Sequence, residues 1–286
     1  MRNNRHGPFL ADMLTSARFE VLPTNNIEDK ILEHLPPGRT VTVTASPAKG
    51  IEETLVLTER LARQGYAAVP HLAARMISGR AELVDICARM REAGVRTVFV
   101  PGGDQDPPAG SYAAALDLLE DLTALGSPFP EVGVTGYPES HPTINDDLVV
   151  QAMWDKRRHA THVVSNLSFD PATIKRWLDR VRARGVMMPM LLGLPGPIDR
   201  GKLLSMATKI GVGDSTRFLN KHKGTFARLA APGGFTGERF LEQCAPVLAR
   251  PEALVTGLHV YTFNQVAETE AWRRDLLARL RHDPHA

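Results

Sequence analysis

The most chemically loaded stretch of the chain is Glu131-Val-Gly-Val-Thr-Gly-Tyr-Pro-Glu-Ser-His-Pro142, an apolar strand that stops in a cluster of tyrosine, carboxylate and imidazole. Other short apolar runs end in the same manner. Their last residues, in chain order, are Glu20, Thr44, His71, Gly102-Gly103-Asp104, Asn166, Gly193-Leu-Pro-Gly196, and His259-Val-Tyr261 with Asn264. Polar groups gathered at the same ends of parallel strands are how an α/β barrel builds an active site. Glu20 is the most unusual of them, because Phe19-Glu20-Val21-Leu22 sets a carboxylate inside an otherwise apolar strand. Desolvation there raises a carboxyl pKa, and an acid kept protonated near neutrality can serve as a general acid. Asp104 follows a Gly-Gly turn that lets backbone approach a ligand closely, and its carboxylate can accept hydrogen bonds from the amino and ring N–H groups of a heterocycle. Each member also has a plainer role open to it: an internal ion pair for Glu20, a turn-stabilising bond for Asp104, a structural hydrogen bond for His71, a helix cap for Glu139. The convergence is stronger than any member.

The elements that would position these residues alternate regularly. Strand-like runs fall at 18–22, 40–45, 67–72, 97–101, 131–136, 162–167, 187–194 and 257–262, with amphipathic helical stretches at 27–35, 50–64, 79–93, 110–125, 143–158, 170–184, 200–248 in pieces, and 265–281. Runs such as Thr-Val-Thr-Val-Thr and Val-Gly-Val suit strands covered on both faces. Eight alternations predict a single α/β domain over 1–286, a (β/α)8 TIM barrel, with flexible tails at 1–15 and 282–286. An extra helical insertion, with a helix at 216–229, is expected between strands 7 and 8, in the irregular segment 211–235 that would shape the cleft. Asp170-Pro171 and Thr236-Gly-Glu-Arg read as helix starts. No G-x-G-x-x-G follows a strand, which leaves an open dinucleotide-binding sheet without support.

Composition narrows the function classes. A net charge of +2 over 286 residues offers no polycationic surface for nucleic acid, so a small-molecule partner is expected. No apolar run approaches the roughly 20 residues that span a bilayer, and the opening Met1-Arg-Asn-Asn-Arg-His has no signal-peptide core; a cytoplasmic protein is expected. The two cysteines, Cys87 and Cys244, lack metal-like spacing, and no metal is expected. Neither a P-loop nor a G-x-S-x-G elbow is present.

The ordered set Phe19-Glu20-x-x-Pro23, Thr42-Val-Thr44, Pro70-His71-Leu72, Gly103-Asp104, Gly133-x-x-Gly-Tyr-Pro-Glu-x-His-Pro142, Ser165-Asn166-x-x-Phe-Asp170 and Gly257-Leu-His-x-Tyr-Thr-x-Asn264 resembles the methylenetetrahydrofolate reductase family. The resemblance implies a barrel that reduces 5,10-methylenetetrahydrofolate to 5-methyltetrahydrofolate with NADH or NADPH, usually through tightly held FAD, in one-carbon metabolism and methionine biosynthesis. By position, Glu20 matches the general acid and Asp104 the aspartate that binds the pterin and favours a cationic intermediate. Asn166 stands where the family usually has a glutamine, and Tyr261 joins it on the substrate side. Thr44, His71, Gly103, Tyr137 and His141 match positions that line the flavin or nicotinamide side. Two departures bear on the flavin. The family's usual Arg-Gly-Asp is Gly102-Gly103-Asp104, and Trp154 and Asp155 replace an arginine and a lysine near the FAD phosphates, although Lys156 is one position away. These departures leave tight FAD binding open and tilt against it, so that hydride would pass directly from NAD(P)H. A folate-dependent methyl or methylene transferase and a non-catalytic folate-binding subunit remain alternatives.

Overall fold

The computed structural model describes residues 5–141, 144–197 and 236–282. Eight parallel strands, β1 (Arg18–Val21), β2 (Thr40–Val43), β3 (Ala67–Pro70), β4 (Thr97–Phe99), β5 (Glu131–Gly136), β6 (His162–Ser165), β7 (Met190–Pro195) and β8 (Val255–Tyr261), pair in the order β3-β2-β1-β8-β7-β6-β5-β4. The ring closes between β3 and β4, where the Leu72 N–H donates to Phe99 O at 2.8 Å and His71 bridges Phe99. The described helices are α1 (Gly7–Thr15), α2 (Ile27–His34), α3 (Gly50–Arg63), α4 (Arg80–Glu92), α5 (Ala115–Ala124), α6 (Asp146–Lys156), α7 (Pro171–Ala183), α8 (Gly237–Leu248) and α9 (Val266–Arg281). This is the (β/α)8 barrel that the alternation predicts. The irregular segment 211–235 and its expected helix at 216–229 lie outside the described residues.

Alternation along each strand sorts side chains between two cores. Phe19, Val21, Val41 and Val43 are fully buried in the large cluster that also holds Leu14, Ile31, Leu55 and Leu61 from the helices. Val69, Phe99, Val164 and Leu191 form a separate cluster, the apolar layer inside the barrel. Gly133 lies on the inner face too, since a Cβ there would stand 2.8 Å from His162 Nε2 and 3.1 Å from Phe99.

Helix starts follow local chemistry. Asn145, Asp170 and Thr236 each accept a backbone N–H of the following turn, from Asp147, Ala172 and Arg239 respectively, and so satisfy donors that a helix leaves unpaired. Of the expected boundaries that move, two have a visible cause. The stretch 110–114 stays a loop because Arg75 holds it, donating to Gln105 O at 2.7 Å and Ala113 O at 3.2 Å, while Gly110 is pressed against Ser78. Strand β7 begins at Met190 rather than 187 because Arg182 holds the carbonyls of Val186 and Met188 ahead of it.

Residues 7–15, expected to belong to a tail, are helix α1. Its Leu10, Met13 and Leu14 are buried, and the Leu14 carbonyl accepts from Arg273 of α9 at 3.3 Å, next to the buried Arg273–Glu270 pair. The helix seals the side of the barrel beside β8. Leu14→Ala should therefore destabilise the protein by about 3 kcal/mol, as a buried leucine truncation does. Urea unfolding measures this, and a loss under about 1 kcal/mol would mean that α1 is not part of the core.

Among the described residues, no helix is long and apolar enough to cross a membrane, and no group of three or more His, Cys, Asp or Glu side chains could hold a metal ion.

Candidate active site

Strand β1 runs beside β8 in a register that sets Arg18 against His259 and Glu20 against Tyr261. Glu20 and His259 both turn inward. Glu20 Oε2 lies 2.9 Å from His259 Nε2 and 3.6 Å from His71 Nε2, so one carboxylate oxygen faces imidazoles from β8 and from the end of β3. The Glu20 side chain keeps only 13% of its exposure, and both imidazoles are buried. Its backbone is also fixed, because Glu20 O accepts from Thr262 Oγ1 at 2.6 Å. Asn264 completes the clamp through its amide, which accepts from the Leu22 N–H at 2.8 Å and donates to Leu22 O at 3.1 Å. Asn264, a member of the rim by sequence, thus acts as a splint between β1 and β8.

Tyr261 sits on the other side of Glu20. Its hydroxyl donates to Ser165 O at 3.1 Å, and its ring meets His259 edge-on at 4.9 Å between centroids. Burial pushes the Tyr261 phenol well above its ordinary pKa, and its neighbour Glu20 pushes the same way, so the phenol stays protonated. Tyr137, at the end of β5, is pushed up mainly by burial, with the Asp104 carboxylate contributing. Its ring stands edge-on to His141 at 4.8 Å, and His141 Nδ1 accepts the Ile144 N–H at 3.1 Å. Glu20, Tyr261, Tyr137 and Asp104 therefore share one electrostatic neighbourhood.

Asp104 is exposed at the rim and has no side-chain hydrogen bond or ion pair among the described residues. Gly103 before it has φ +86°, in the left-handed region, and a Cβ there would come 3.0 Å from the Ala73 Cβ. The turn is instead closed by backbone, with Arg75 N–H donating to Gly102 O at 2.9 Å. Asn166 is exposed as well; its Oδ1 accepts the Leu167 N–H at 2.8 Å, which leaves the amide NH2 for a ligand. Thr44 completes the ring at β2: its carbonyl accepts from Thr54 at 2.8 Å, and its Oγ1 is buried without a partner among the described residues. Close packing between β6 and β7 requires glycine at 193, where a Cβ would stand 2.1 Å from Ser165 O.

Every residue expected at the site lies at the C-terminal mouth of the barrel, yet not all face the chemistry. Glu139 leaves it, accepting from Ser168 Oγ at 2.6 Å and so tying the β5 loop to the β6 loop. By sequence His259 is a rim member without an assigned partner, although its place two residues before Tyr261 on one strand already puts both on the same face. The same alternation pairs Arg18 with Glu20. Arg18 lies on the barrel floor, donating to His162 Nε2 at 3.0 Å and to Glu131 at 3.3 Å.

The floor and the mouth each hold a neutral imidazole. Burial lowers His71 to about 4, with Glu20 opposing, and lowers His162 to about 3, with the Arg18 charge adding to the effect. The unfolded chain takes up these protons near the ordinary value of 6.5, whereas the folded chain takes them up only well below it. Stability is thus complete above that ordinary value and declines as pH falls toward the folded values. Between pH 7 and 5 each histidine should remove on the order of 2 kcal/mol. Urea midpoints across that range test this; a flat profile would contradict neutral burial of the two rings.

The residues at the end of α6 that the resemblance sets near a flavin make local contacts. The Arg157 guanidinium lies 3.6 Å from the Trp154 ring centroid and donates to Trp154 O, and the ring abuts Gly185, where a Cβ would be 2.9 Å away. Asp155 accepts from Gln151 at 2.9 Å, and burial draws the Lys156 ammonium below its ordinary pKa.

Comparison with known proteins gives the chain its relatives. The family model described as "Methylenetetrahydrofolate reductase" matches residues 26–273. "Probable methylenetetrahydrofolate reductase (NADH)" of Oryza sativa subsp. japonica is 27% identical over 207 residues, covering 63% of this chain and 33% of that protein. "Methylenetetrahydrofolate reductase (NADH) 1" of Arabidopsis thaliana is 28% identical over 200 residues, covering 61% of this chain and 32% of that protein. The chain thus matches about a third of the length of these plant relatives. Among solved structures, a GH18 chitinase from Pseudoalteromonas aurantia superposes with a TM-score of 0.52 at 10% identity, covering 91% of this chain and 99% of that one, a likeness of fold alone.

Proposed function

Since the chain belongs to the methylenetetrahydrofolate reductase family, we propose that it reduces 5,10-methylenetetrahydrofolate to 5-methyltetrahydrofolate with hydride taken directly from a reduced nicotinamide. The observation that carries this reading is the Glu20 carboxyl, held at the barrel mouth 2.9 Å from His259 and 3.6 Å from His71. Glu20 gives its proton to N10 of the folate. The bond between N10 and the bridging methylene breaks with its electron pair going to N10, and the carbon remains on N5 as an iminium cation. The Asp104 carboxylate favours that cation electrostatically from the rim. Hydride from the nicotinamide adds to the iminium carbon and leaves the oxidised nicotinamide.

Asp104, Asn166 and Tyr261 form the folate side of the cleft, and Thr44, His71, Gly103, Tyr137 and His141 the nicotinamide side. The neutral, protonated Tyr261 and Tyr137 suit binding of a pterin by hydrogen bonds rather than by charge. The local contacts of Trp154 with Arg157 and of Asp155 with Gln151 support an enzyme without tightly bound FAD, in which the nicotinamide occupies the flavin's usual place. The two plant relatives named for NADH support NADH over NADPH. An absorbance scan of freshly purified protein, followed by NADH oxidation with methylenetetrahydrofolate with and without added FAD, tests the reading. Oxidation with no flavin bands and no FAD requirement is the expected result. Stoichiometric flavin bands would overturn direct transfer, and absence of oxidation in both conditions would overturn the reductase itself.

A further inference from the structure

We propose that His259 is the positioning residue of the general acid: it holds Glu20 by Oε2, so that the transferable proton sits on Oε1, the oxygen facing the cleft. The inference deepens the reductase reading and rests on it for its catalytic part. Its geometry is asymmetric. Glu20 Oε2 meets His259 Nε2 at 2.9 Å and His71 Nε2 at 3.6 Å, whereas Oε1 has no partner among the described residues. Only the shorter distance is a hydrogen bond. His259 Nδ1 is buried without a partner among the described residues. A ring proton on Nδ1 would therefore be a buried donor with no acceptor, and Nε2 could then only accept, which would draw the carboxyl proton onto Oε2 and away from the cleft. A ring proton on Nε2 avoids that unpaired donor and donates to Oε2. With Oε2 occupied as an acceptor, the carboxyl proton belongs on Oε1.

The arrangement serves both ends of the proton transfer. Before it, the fixed carboxyl aims one O–H at the cleft instead of rotating between two equivalent oxygens. In the step itself, the O–H bond of Oε1 breaks, an N–H bond forms on the folate amine, and the electron pair stays on Glu20. Afterwards the His259 N–H already faces the new carboxylate, which makes the hydrogen bond charge-assisted and stronger. His71 is too far from Oε2 to share this role, and its buried ring contacts Phe99 at 4.7 Å between centroids.

The test combines two readouts. Nitrogen NMR of protein labelled in histidine gives the tautomer of His259, assigned by its loss in His259→Gln. Steady-state kinetics then compare His259→Leu with His259→Gln, whose amide places a donor near the Nε2 position. The expected results are an Nε2–H tautomer in wild-type protein, a kcat reduced on the order of 10- to 100-fold in His259→Leu with folate affinity within about threefold of wild type, and recovery of most of kcat in His259→Gln. An Nδ1–H tautomer would overturn the proposal. So would an unchanged kcat in His259→Leu, or equal losses in the leucine and glutamine variants. Should wild-type protein show no reductase activity, the reading of function fails while the tautomer still decides whether His259 holds Glu20. Should His259→Leu not fold, the tautomer together with the kinetics of His259→Gln decides it: turnover as low as that of Glu20→Gln would overturn the proposal.

Discussion

Glu20→Gln should lower kcat for methylenetetrahydrofolate reduction by about two decades or more, the range spanned by loss of a general acid, and should leave binding of folate and of nicotinamide within about threefold of wild type. The amide is nearly the same shape and its oxygen can still accept from His259 Nε2, now 2.9 Å from Oε2, so neither fold nor pocket need change. What is lost is the proton. Without it the N10–methylene bond must break with an anionic leaving amine, and the electrophilic carbon that receives hydride does not form. Stopped-flow measurement of NADH loss, with folate affinity determined separately, distinguishes the two parts. Turnover near wild type would make Glu20 a structural partner of the buried histidines and remove the central step of the mechanism.

Asp104→Asn is the second large effect. The carboxylate is exposed, unpaired among the described residues, and placed by a glycine turn whose closure uses backbone rather than the Asp104 side chain. The substitution therefore removes charge without removing the turn. Folate affinity should fall by about tenfold and kcat by about 10- to 100-fold, since a carboxylate beside a developing cation does more in the transition state than in the ground state. Titration of folate against tyrosine and tryptophan fluorescence gives the first quantity and single-turnover kinetics the second. An unchanged folate dissociation constant would reduce Asp104 to a turn residue.

The parts of the fold legible from sequence were those with a local period. Thr-Val-Thr-Val and Val-Gly-Val could only be short, doubly covered strands, and the residues at their ends had to share one rim once the strands were parallel. Residues 7–15, read as part of a tail, are helix for a non-local reason: Leu10, Met13 and Leu14 do carry a helical spacing, but the elements that bury them include α9, over 250 residues away in sequence. The loop at 110–114 was likewise decided from a distance, by the three-way grip of Arg75.

Within the site, residue identity was easier to read than partnership. Glu20 stood out because a carboxylate in an apolar strand demands an explanation, whereas the buried imidazole that answers to it arrives from the other end of the chain. Asn264 and Glu139 looked like site residues because they close polar motifs, yet the structure spends their side chains on Leu22 and Ser168. Side chains that bridge loops and side chains that meet ligands share the same residue types, and only three-dimensional partners separate them. Trp154 is the converse case. In sequence it is a missing cation, and in the structure it is a platform for Arg157 and a fit for Gly185.

The most direct test of the account follows the hydride itself. Purified protein is given methylenetetrahydrofolate and NADH deuterated at both C4 positions, in ordinary water, and the methyl group of the product is analysed by mass spectrometry. Direct transfer places one deuterium in each methyl group and consumes one NADH for each product formed. Product with an unlabelled methyl group would mean that the hydride passed through a carrier that exchanges with water, as a reduced flavin does, and would contradict the account.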